Sequence, residues 1–192
     1  MRKTELSTEI RNKYILCSCE GAAEERIVEL LVDNDKLFFS RSDLVDGKCT
    51  RIRQGTKLAN EFLNRDYGWQ GITILRILDR PKEKLALPRE YASKNIPVFD
   101  IITKPEIEIL HILAENWQSD FDSAVRHNRN LKPSEFCKAR FSRNLPKKIR
   151  SVKSAEFIDY EYGQDIDKLT KAIERYAQTN TDGFTLNDLL KN

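Results

Sequence analysis

The chain has 192 residues, of which 40% are hydrophobic and 33% charged, with a formal net charge of +3. This length suffices for one globular domain with a substantial core, or for one domain with a small helical appendage. No stretch approaches the roughly 20 apolar residues of a membrane-spanning helix, and the polar N-terminus lacks the apolar core of a signal peptide. The sequence thus argues against a membrane or secreted protein, and we expect a cytoplasmic protein with no membrane partner.

The N-terminal part predicts a strand, a turn and a helix in immediate succession. Residues 1–13 are polar and predict a short helix or arm, whereas residues 15–19 are apolar enough for a central strand. A glycine turn follows, and the helical spacing of apolar residues over 22–34 predicts the next helix. Glu20 is thereby left at the C-terminal tip of the strand.

The middle of the chain alternates strands with helices. Strands are predicted at 37–40, 72–78 and 96–102, and helices at 54–64 and 89–94. The strand at 72–78 is rich in β-branched residues and ends directly on Asp79. Thr103 and Glu106 have the spacing of a capping box, which predicts a further helix from this point to about Trp117.

This alternation is typical of βαβ units, and it predicts an α/β fold with a mostly parallel central sheet flanked by helices. We assign residues 1–118 to this domain and residues 119–192 to a basic, mainly helical C-terminal extension that packs on it. Within the extension, helices are predicted at 119–127, 133–141 and 165–178, and an edge strand at 155–162.

Three carboxylates occupy equivalent places in this topology. Glu20 and Asp79 each end a predicted strand, and Glu108 lies in the first turns of the helix that follows the third strand. Because ligands bind at the carboxyl edge of parallel sheets, we expect these acids to meet there and to bind Mg²⁺ or Mn²⁺. The alternative for Glu20 is an ordinary solvated acid in a strand–helix turn.

Three motifs, in order, resemble those of Toprim domains, especially of the OLD-like and RloB-like nucleases. The first is CEGAAEE at residues 19–25, where a strand-terminal Glu-Gly precedes further acids. The second is LRILDRPK at 75–82, and the third is TKPEIEIL at 103–110. The resemblance covers roughly residues 14–117 and implies a Toprim-like sheet.

The resemblance also implies a function: a Mg²⁺- or Mn²⁺-dependent nuclease that hydrolyses DNA or RNA, in a bacterial or phage-defence setting. It implies catalytic roles for Glu20, Asp79 and Glu108. The metal ligands that it implies are Glu20, Asp79, Glu24 and Glu25.

One departure from the family pattern favours a different function. Toprim proteins usually carry Asp-x-Asp in the second motif, and here Pro81 replaces the second Asp. The alternative is therefore a catalytically inactive Toprim-like subunit that binds nucleic acid or assists assembly together with a partner ATPase.

The net charge is unevenly distributed. Between Arg126 and Lys153 there are ten basic residues and one acidic residue, which predicts a polyanion partner. The candidate nucleic-acid-binding residues are Arg126, Arg129, Lys138, Arg140, Arg143, Lys147, Lys148 and Arg150. The interleaved Phe136 and Phe141 are candidates for stacking on bases. A solvated helical face that balances the acidic half of the chain is the alternative.

The four cysteines and His111 have more ordinary interpretations. Cys17 and Cys19 share one face of the first strand, whereas Cys49 and Cys137 stand apart in the sequence. No pair has the spacing of a zinc knuckle, so we predict buried, reduced thiols. His111 follows Glu108 by three residues, but a single histidine on an apolar helix is usually structural.

Overall fold

A three-stranded parallel sheet forms the centre of the fold, in the order β1–β2–β3. Its strands are β1 (Tyr14–Cys19), β2 (Ile72–Leu78) and β3 (Val98–Ile102). The computed structural model describes residues 2–80, 84–92, 94–142, 145–147, 149–180 and 183–191. The predicted α/β class and its parallel strands are confirmed.

The register of the strands aligns their C-terminal ends. Cys19 is opposite Ile77, and Leu78 is opposite Ile102. All seven residues of β2 are buried, as expected for a central parallel strand that is covered on both faces. The residues that follow β1 and β2 therefore emerge at the same edge of the sheet.

Further segments extend both sides of the sheet through isolated bridges. Leu44 and Thr50 pair in parallel with Ile15 and Ser18 of β1, and Phe184 pairs in parallel with Ile101 of β3. The chain at 44–50 thus lies directly against β1. The helices are α1 (Arg2–Ile10), α2 (Ala22–Asp33), α3 (Gly55–Leu58), α4 (Arg89–Ala92), α5 (Ile109–Ala114), α6 (Gln118–His127), α7 (Pro133–Phe141), α8 (Ala155–Tyr162) and α9 (Ile166–Thr179).

Hydrophobic cores cover both faces of the sheet. The larger core combines Ile27 of α2 and Leu110 of α5 with Phe157 of α8 and Ile173 of α9, so both predicted parts of the chain contribute to it. The smaller core packs α3 and the π-helical turn that continues it (Ala59–Leu63) against the opposite face. None of the described helices has both the length and the apolar character that crossing a membrane requires.

The predicted edge strand at 155–162 is wrong, since these residues form α8. Ser154 caps this helix, and its side chain accepts a hydrogen bond from the Phe157 backbone N–H at 3.2 Å. Phe157, Ile158 and Tyr162 are all buried in the larger core. Their spacing fits one face of a helix, and packing of that face outweighs the strand propensity of the aromatic residues.

Two other predicted elements differ in the structure. The predicted strand at 37–40 is reduced to one antiparallel bridge, between Leu37 and Leu190, because Ser40 and Asp43 form a capping box that starts a 3-10 turn. Thr103 does not cap a helix: its N–H continues the sheet by bonding to Leu78 O at 2.9 Å. Helix α5 consequently begins at Ile109.

Three residues singled out in the sequence analysis, Pro81, Arg143 and Lys148, lie outside the described residues. The consequence of the Pro81 departure therefore remains a prediction from the motif.

Candidate active site

The carboxyl edge of the sheet holds the acidic residues that follow β1 and β2. The backbone N–H of Glu20 continues the sheet by bonding to Ile77 O at 3.0 Å. The side chain of Glu20 then turns toward β2, where Oε2 accepts a hydrogen bond from the Asp79 N–H at 3.2 Å. The two strand ends are thus joined through the Glu20 carboxylate.

Glu24 joins this edge from the first turn of α2. It is only 6% exposed, and its carboxylate folds back over Gly21. A Cβ added to Gly21 would lie 2.8 Å from Glu24 Oε2, a distance that a real side chain does not permit. Gly21 therefore gives the Glu24 carboxylate room to approach Asp79.

Asp79 connects β2 to the segment that precedes α5. Its Oδ1 accepts a hydrogen bond from the Ile107 N–H at 3.2 Å. Burial raises the pKa of Asp79, and the negative charge of Glu20 raises it further, while the Ile107 hydrogen bond opposes the shift. Asp79 is therefore held in place while an excess of negative charge surrounds it.

Glu106 and Glu108 form the other side of the site, together with Lys153. Lys153 Nζ lies 3.2 Å from Glu106 Oε1 and 3.8 Å from Glu108 Oε2. Glu106 Oε2 also accepts a hydrogen bond from the Ser134 N–H at 3.1 Å, at the start of α7. Burial would raise the pKa of Glu106, but these hydrogen bonds and the Lys153 charge leave it lowered.

Two of the acids titrate near neutral pH. Burial raises the pKa of Glu24 to about 7, and the charges of Asp79 and Glu20 add to the shift, against a hydrogen bond from its own backbone. Burial likewise raises the pKa of Glu108 to about 7, although Lys153 lowers it. Carboxyl groups with such pKa values can accept or release a proton at neutral pH.

A basic groove runs beside the acidic edge. It has a volume of about 740 Å³, and the cations that line it are Arg53, Arg76 and Lys84. Arg53 Nη1 lies 3.1 Å from Glu20 Oε1, so the groove begins at the acidic residues. Arg76 is fixed by two hydrogen bonds to Asp100, its partner across β2 and β3, at 2.6 and 2.5 Å.

The structure separates Glu25 from the other acids. Its Oε2 lies 3.3 Å from Arg51 Nε, on the side of α2 that faces the chain between α2 and α3. Burial raises the pKa of Glu25, and the Arg51 charge opposes the shift. Of the four metal ligands implied by the resemblance, the structure brings Glu20, Glu24 and Asp79 together.

His111 has a structural environment. It is fully buried, its Nδ1 lies 2.6 Å from the Tyr162 hydroxyl, and its ring packs against Phe157 at 4.9 Å between centroids. Burial lowers the pKa of His111 to about 3. The imidazole is therefore neutral at physiological pH.

The basic C-terminal segment is exposed, but its aromatic residues are not. The described candidates Arg126, Arg129, Lys138, Arg140, Lys147 and Arg150 are all exposed. Phe136 is 8% exposed and packs against Phe121 and Trp117, so the expectation that it stacks on bases is wrong. Arg140 lies over the Phe136 and Trp117 rings and pairs with Asp120 at 2.6 Å.

Sequence reasoning missed Lys153 and Arg53 as members of the site. Lys153 ends the basic segment of the sequence, and Arg53 lies outside that segment. Each pairs with an acid more than 30 positions away in the chain. No local pattern marks such a pair, so only the excess of acids at the sheet edge signals that cations must be near.

The acidic residues fit a divalent ion in the manner of Mg²⁺. Carboxylate oxygens are the protein ligands that Mg²⁺ prefers, and it commonly takes one or two of them and keeps several waters. Among the described residues, no three carboxylates offer oxygens that all lie within 4.8 Å of one another. Glu20, Glu24 and Asp79 would therefore hold the ion through one or two direct bonds, with the remaining acids acting through water.

Comparisons of the chain with family models, curated proteins and solved structures gave no match. The interpretation of this edge therefore depends on its own geometry and on the resemblance of its motifs.

We expect Lys153→Met to destabilise the protein by about 1–2 kcal/mol at pH 8, because it removes the cation beside the buried Glu108. Burial raises the pKa of Glu108 from 4.5 to about 7, so the folded state favours its neutral form and loses stability as pH rises through this range. The loss should accordingly be smaller at pH 5.5 than at pH 8.

Urea unfolding of Lys153→Met and wild type at both pH values measures this difference. Lys138→Met, which removes an exposed cation from α7, is the matched control and should change little. Equal losses at the two pH values would show that Glu108 does not depend on Lys153.

Proposed function

We propose that this chain is a Toprim-like, divalent-metal-dependent nuclease whose active site is the carboxyl edge of the sheet. The observation that carries the proposal is the meeting of Glu20, Glu24 and Asp79, where the Asp79 N–H donates to Glu20 Oε2 at 3.2 Å. Burial and the negative charges of Asp79 and Glu20 raise the pKa of Glu24 to about 7. A bound cation would offset the repulsion between these carboxylates.

Each acidic residue has a distinct part in the proposed reaction. When bound, a divalent ion supplies charge neutralisation at a phosphodiester and favours ionisation of water. Asp79 is oriented by the Ile107 N–H, and Glu20 by the Asp79 N–H, so both carboxylates are positioned before a ligand arrives. Glu24 is suited to accept the proton of the attacking water, because burial is the largest cause that raises its pKa and would persist when an ion offsets the charges of Asp79 and Glu20.

The basic groove supports a nucleic-acid substrate. Arg53, Arg76 and Lys84 line a depression that begins beside Glu20. Arg53 pairs with Glu20 and Arg76 with Asp100, so the exposed Lys84 is the cation of this set that is best suited to neutralise a backbone phosphate. The exposed cations of α6 and α7 form a second basic surface, and the Ser134 N–H in the first turn of α7 donates to the Glu106 carboxylate. A strand held by these groups would pass the acidic edge.

The internal ion pairs favour a second candidate function. Glu20 already pairs with Arg53, and Glu106 and Glu108 already pair with Lys153. Such pairs neutralise part of the site without a metal. This supports a Toprim-like subunit that binds nucleic acid or assists assembly while a partner ATPase supplies the catalytic work.

Glu20→Gln separates the two candidates. We expect the purified wild-type chain to cleave DNA or RNA only with Mg²⁺ or Mn²⁺, and Glu20→Gln to lose about 100-fold or more of this activity. Glu174→Gln, an exposed acid on α9, is the matched control and should cleave like wild type.

Calorimetric titration with Mg²⁺ and Mn²⁺ gives an independent measurement. Saturable binding that Glu20→Gln weakens and Glu174→Gln retains supports the nuclease. If the wild-type chain binds nucleic acid but takes up neither ion at millimolar concentration, the nuclease assignment is wrong and the binding subunit is favoured.

A further inference from the structure

Cys49 meets Cys17 and Cys19, about 30 positions earlier in the chain, beside the acidic edge. Cys17 and Cys19 are fully buried, Cys49 is 3% exposed, and all three are free thiols. Cys17 Sγ and Cys19 Sγ lie 4.0 Å apart, and the three sulfur atoms all lie within 4.8 Å of one another. No other group of three candidate ligands in the described part of the chain is this close.

The backbone fixes this arrangement before any ligand binds. Cys17 and Cys19 are two residues apart on β1, so their side chains point to the same face. The Thr50 N–H donates to Cys17 O at 2.9 Å, and the Cys19 N–H donates to Thr50 O at 2.8 Å. These two bonds hold Cys49 against β1, next to the other two thiols.

We propose that Cys17, Cys19 and Cys49 supply three ligands of a site for a thiophilic divalent ion, Zn²⁺, and that a water from the groove beside Cys49 would take the fourth position. A metal–sulfur bond of about 2.3 Å places the sulfurs of a tetrahedral site about 3.8 Å apart and those of a trigonal site about 4.0 Å apart. The Cys17–Cys19 separation of 4.0 Å matches these values. Three thiolates are ligands of the soft type that such ions prefer.

The surroundings of Cys49 provide an access route. Cys49 lines a surface groove of about 500 Å³. Three thiolates with a divalent ion carry one net negative charge, whereas a monovalent ion would leave two. The charged residues of the groove are Glu25, Asp46, Lys48, Arg51 and Glu61, which together supply no net positive charge, so the smaller residual charge of the divalent complex is favoured.

The site would stabilise the edge that carries the acids. Cys19 directly precedes Glu20, and Cys49 lies four residues before Arg53, which pairs with Glu20. An ion that joins the two segments would fix the distance between them. This inference does not depend on the proposed nuclease activity.

The test is a titration of the reduced, metal-free full-length chain. We expect one Zn²⁺ per chain, proton release on binding and a rise in melting temperature. Cd²⁺ should bind at the same site and give the ultraviolet charge-transfer band of cadmium–thiolate bonds, which carboxylate ligands do not give. Cys49→Ser should weaken Zn²⁺ binding by at least about 100-fold, and Cys137→Ser, which removes the fourth buried thiol, should not.

Thiol alkylation gives a second measurement on the wild-type chain, which stays informative if Cys49→Ser fails to fold. In mild denaturant, Zn²⁺ should protect three of the four thiols and leave Cys137 reactive. The proposal is overturned if Cd²⁺ produces no thiolate band, if Zn²⁺ protects no thiol, or if Cys137→Ser weakens binding as much as Cys49→Ser. If the wild-type chain shows thiol protection by Zn²⁺ but no Mg²⁺-dependent cleavage, only the proposed nuclease activity is contradicted.

Discussion

Asp79→Asn should lower Mg²⁺-dependent cleavage by about 100-fold or more and, in the absence of metal, raise the melting temperature at pH 8. Asparagine keeps an oxygen that can accept the Ile107 N–H, now bonded to Asp79 Oδ1 at 3.2 Å. It removes the negative charge that lies beside Glu20. Burial is the largest cause of the raised pKa of Asp79, and repulsion by the Glu20 charge is the next. The same charge that the proposed reaction needs therefore destabilises the metal-free protein.

The stabilisation should depend on pH in a defined direction. At pH 8 Glu24, with a pKa of about 7, is ionised and repels Asp79; at pH 5.5 it is protonated and this repulsion is weaker. The gain in stability from Asp79→Asn should therefore be larger at pH 8. Thermal unfolding at the two pH values, together with a cleavage assay, measures both effects.

A variant that lost both activity and stability would contradict this interpretation of Asp79. In that case its main contribution would be a structural one, made through the Ile107 hydrogen bond. Glu174→Gln is again the control, and it should alter neither quantity.

Gly55→Ala should destabilise the protein by about 2–3 kcal/mol through overpacking. A Cβ on Gly55 would lie 1.9 Å from Ala86 O and 2.7 Å from Ala86 C. Both are backbone atoms, so no side-chain rotation relieves the clash, and the segment at 84–87 must shift. Because Lys84, Leu85 and Ala86 line the basic groove, nucleic-acid affinity should fall as well.

Chemical denaturation and a binding titration with a short oligonucleotide measure the two consequences. Thr56→Ala places an alanine one residue later, at an exposed position where its methyl group meets no such clash, and should leave both close to wild type. If Gly55→Ala is destabilised but its affinity for the oligonucleotide is unchanged, the groove does not belong to the proposed interface. The basic surface of α6 and α7 would then be the candidate.

The elements predicted best are those with a strong local pattern. Residues 15–19 and 72–78 were predicted as strands and form β1 and β2 to within one residue, because buried parallel strands are continuous apolar runs. Helix α7 was predicted with the observed bounds, 133–141, from the proline at its start. The prediction of a strand at 155–162 was wrong because the spacing of its aromatic residues suits either a strand or a helix. Only packing in the tertiary structure decides between the two.

By itself, the sequence determined the α/β class and the placing of Glu20 and Asp79 at strand ends, since both follow from apolar runs and the residues that terminate them. The tertiary structure decided which groups surround these acids. It turned Glu25 toward Arg51, brought Lys153 to Glu108, and placed Cys49 beside Cys17 and Cys19. Such contacts join residues at least 26 positions apart, and they depend on the path of the intervening chain, which local periodicity does not specify.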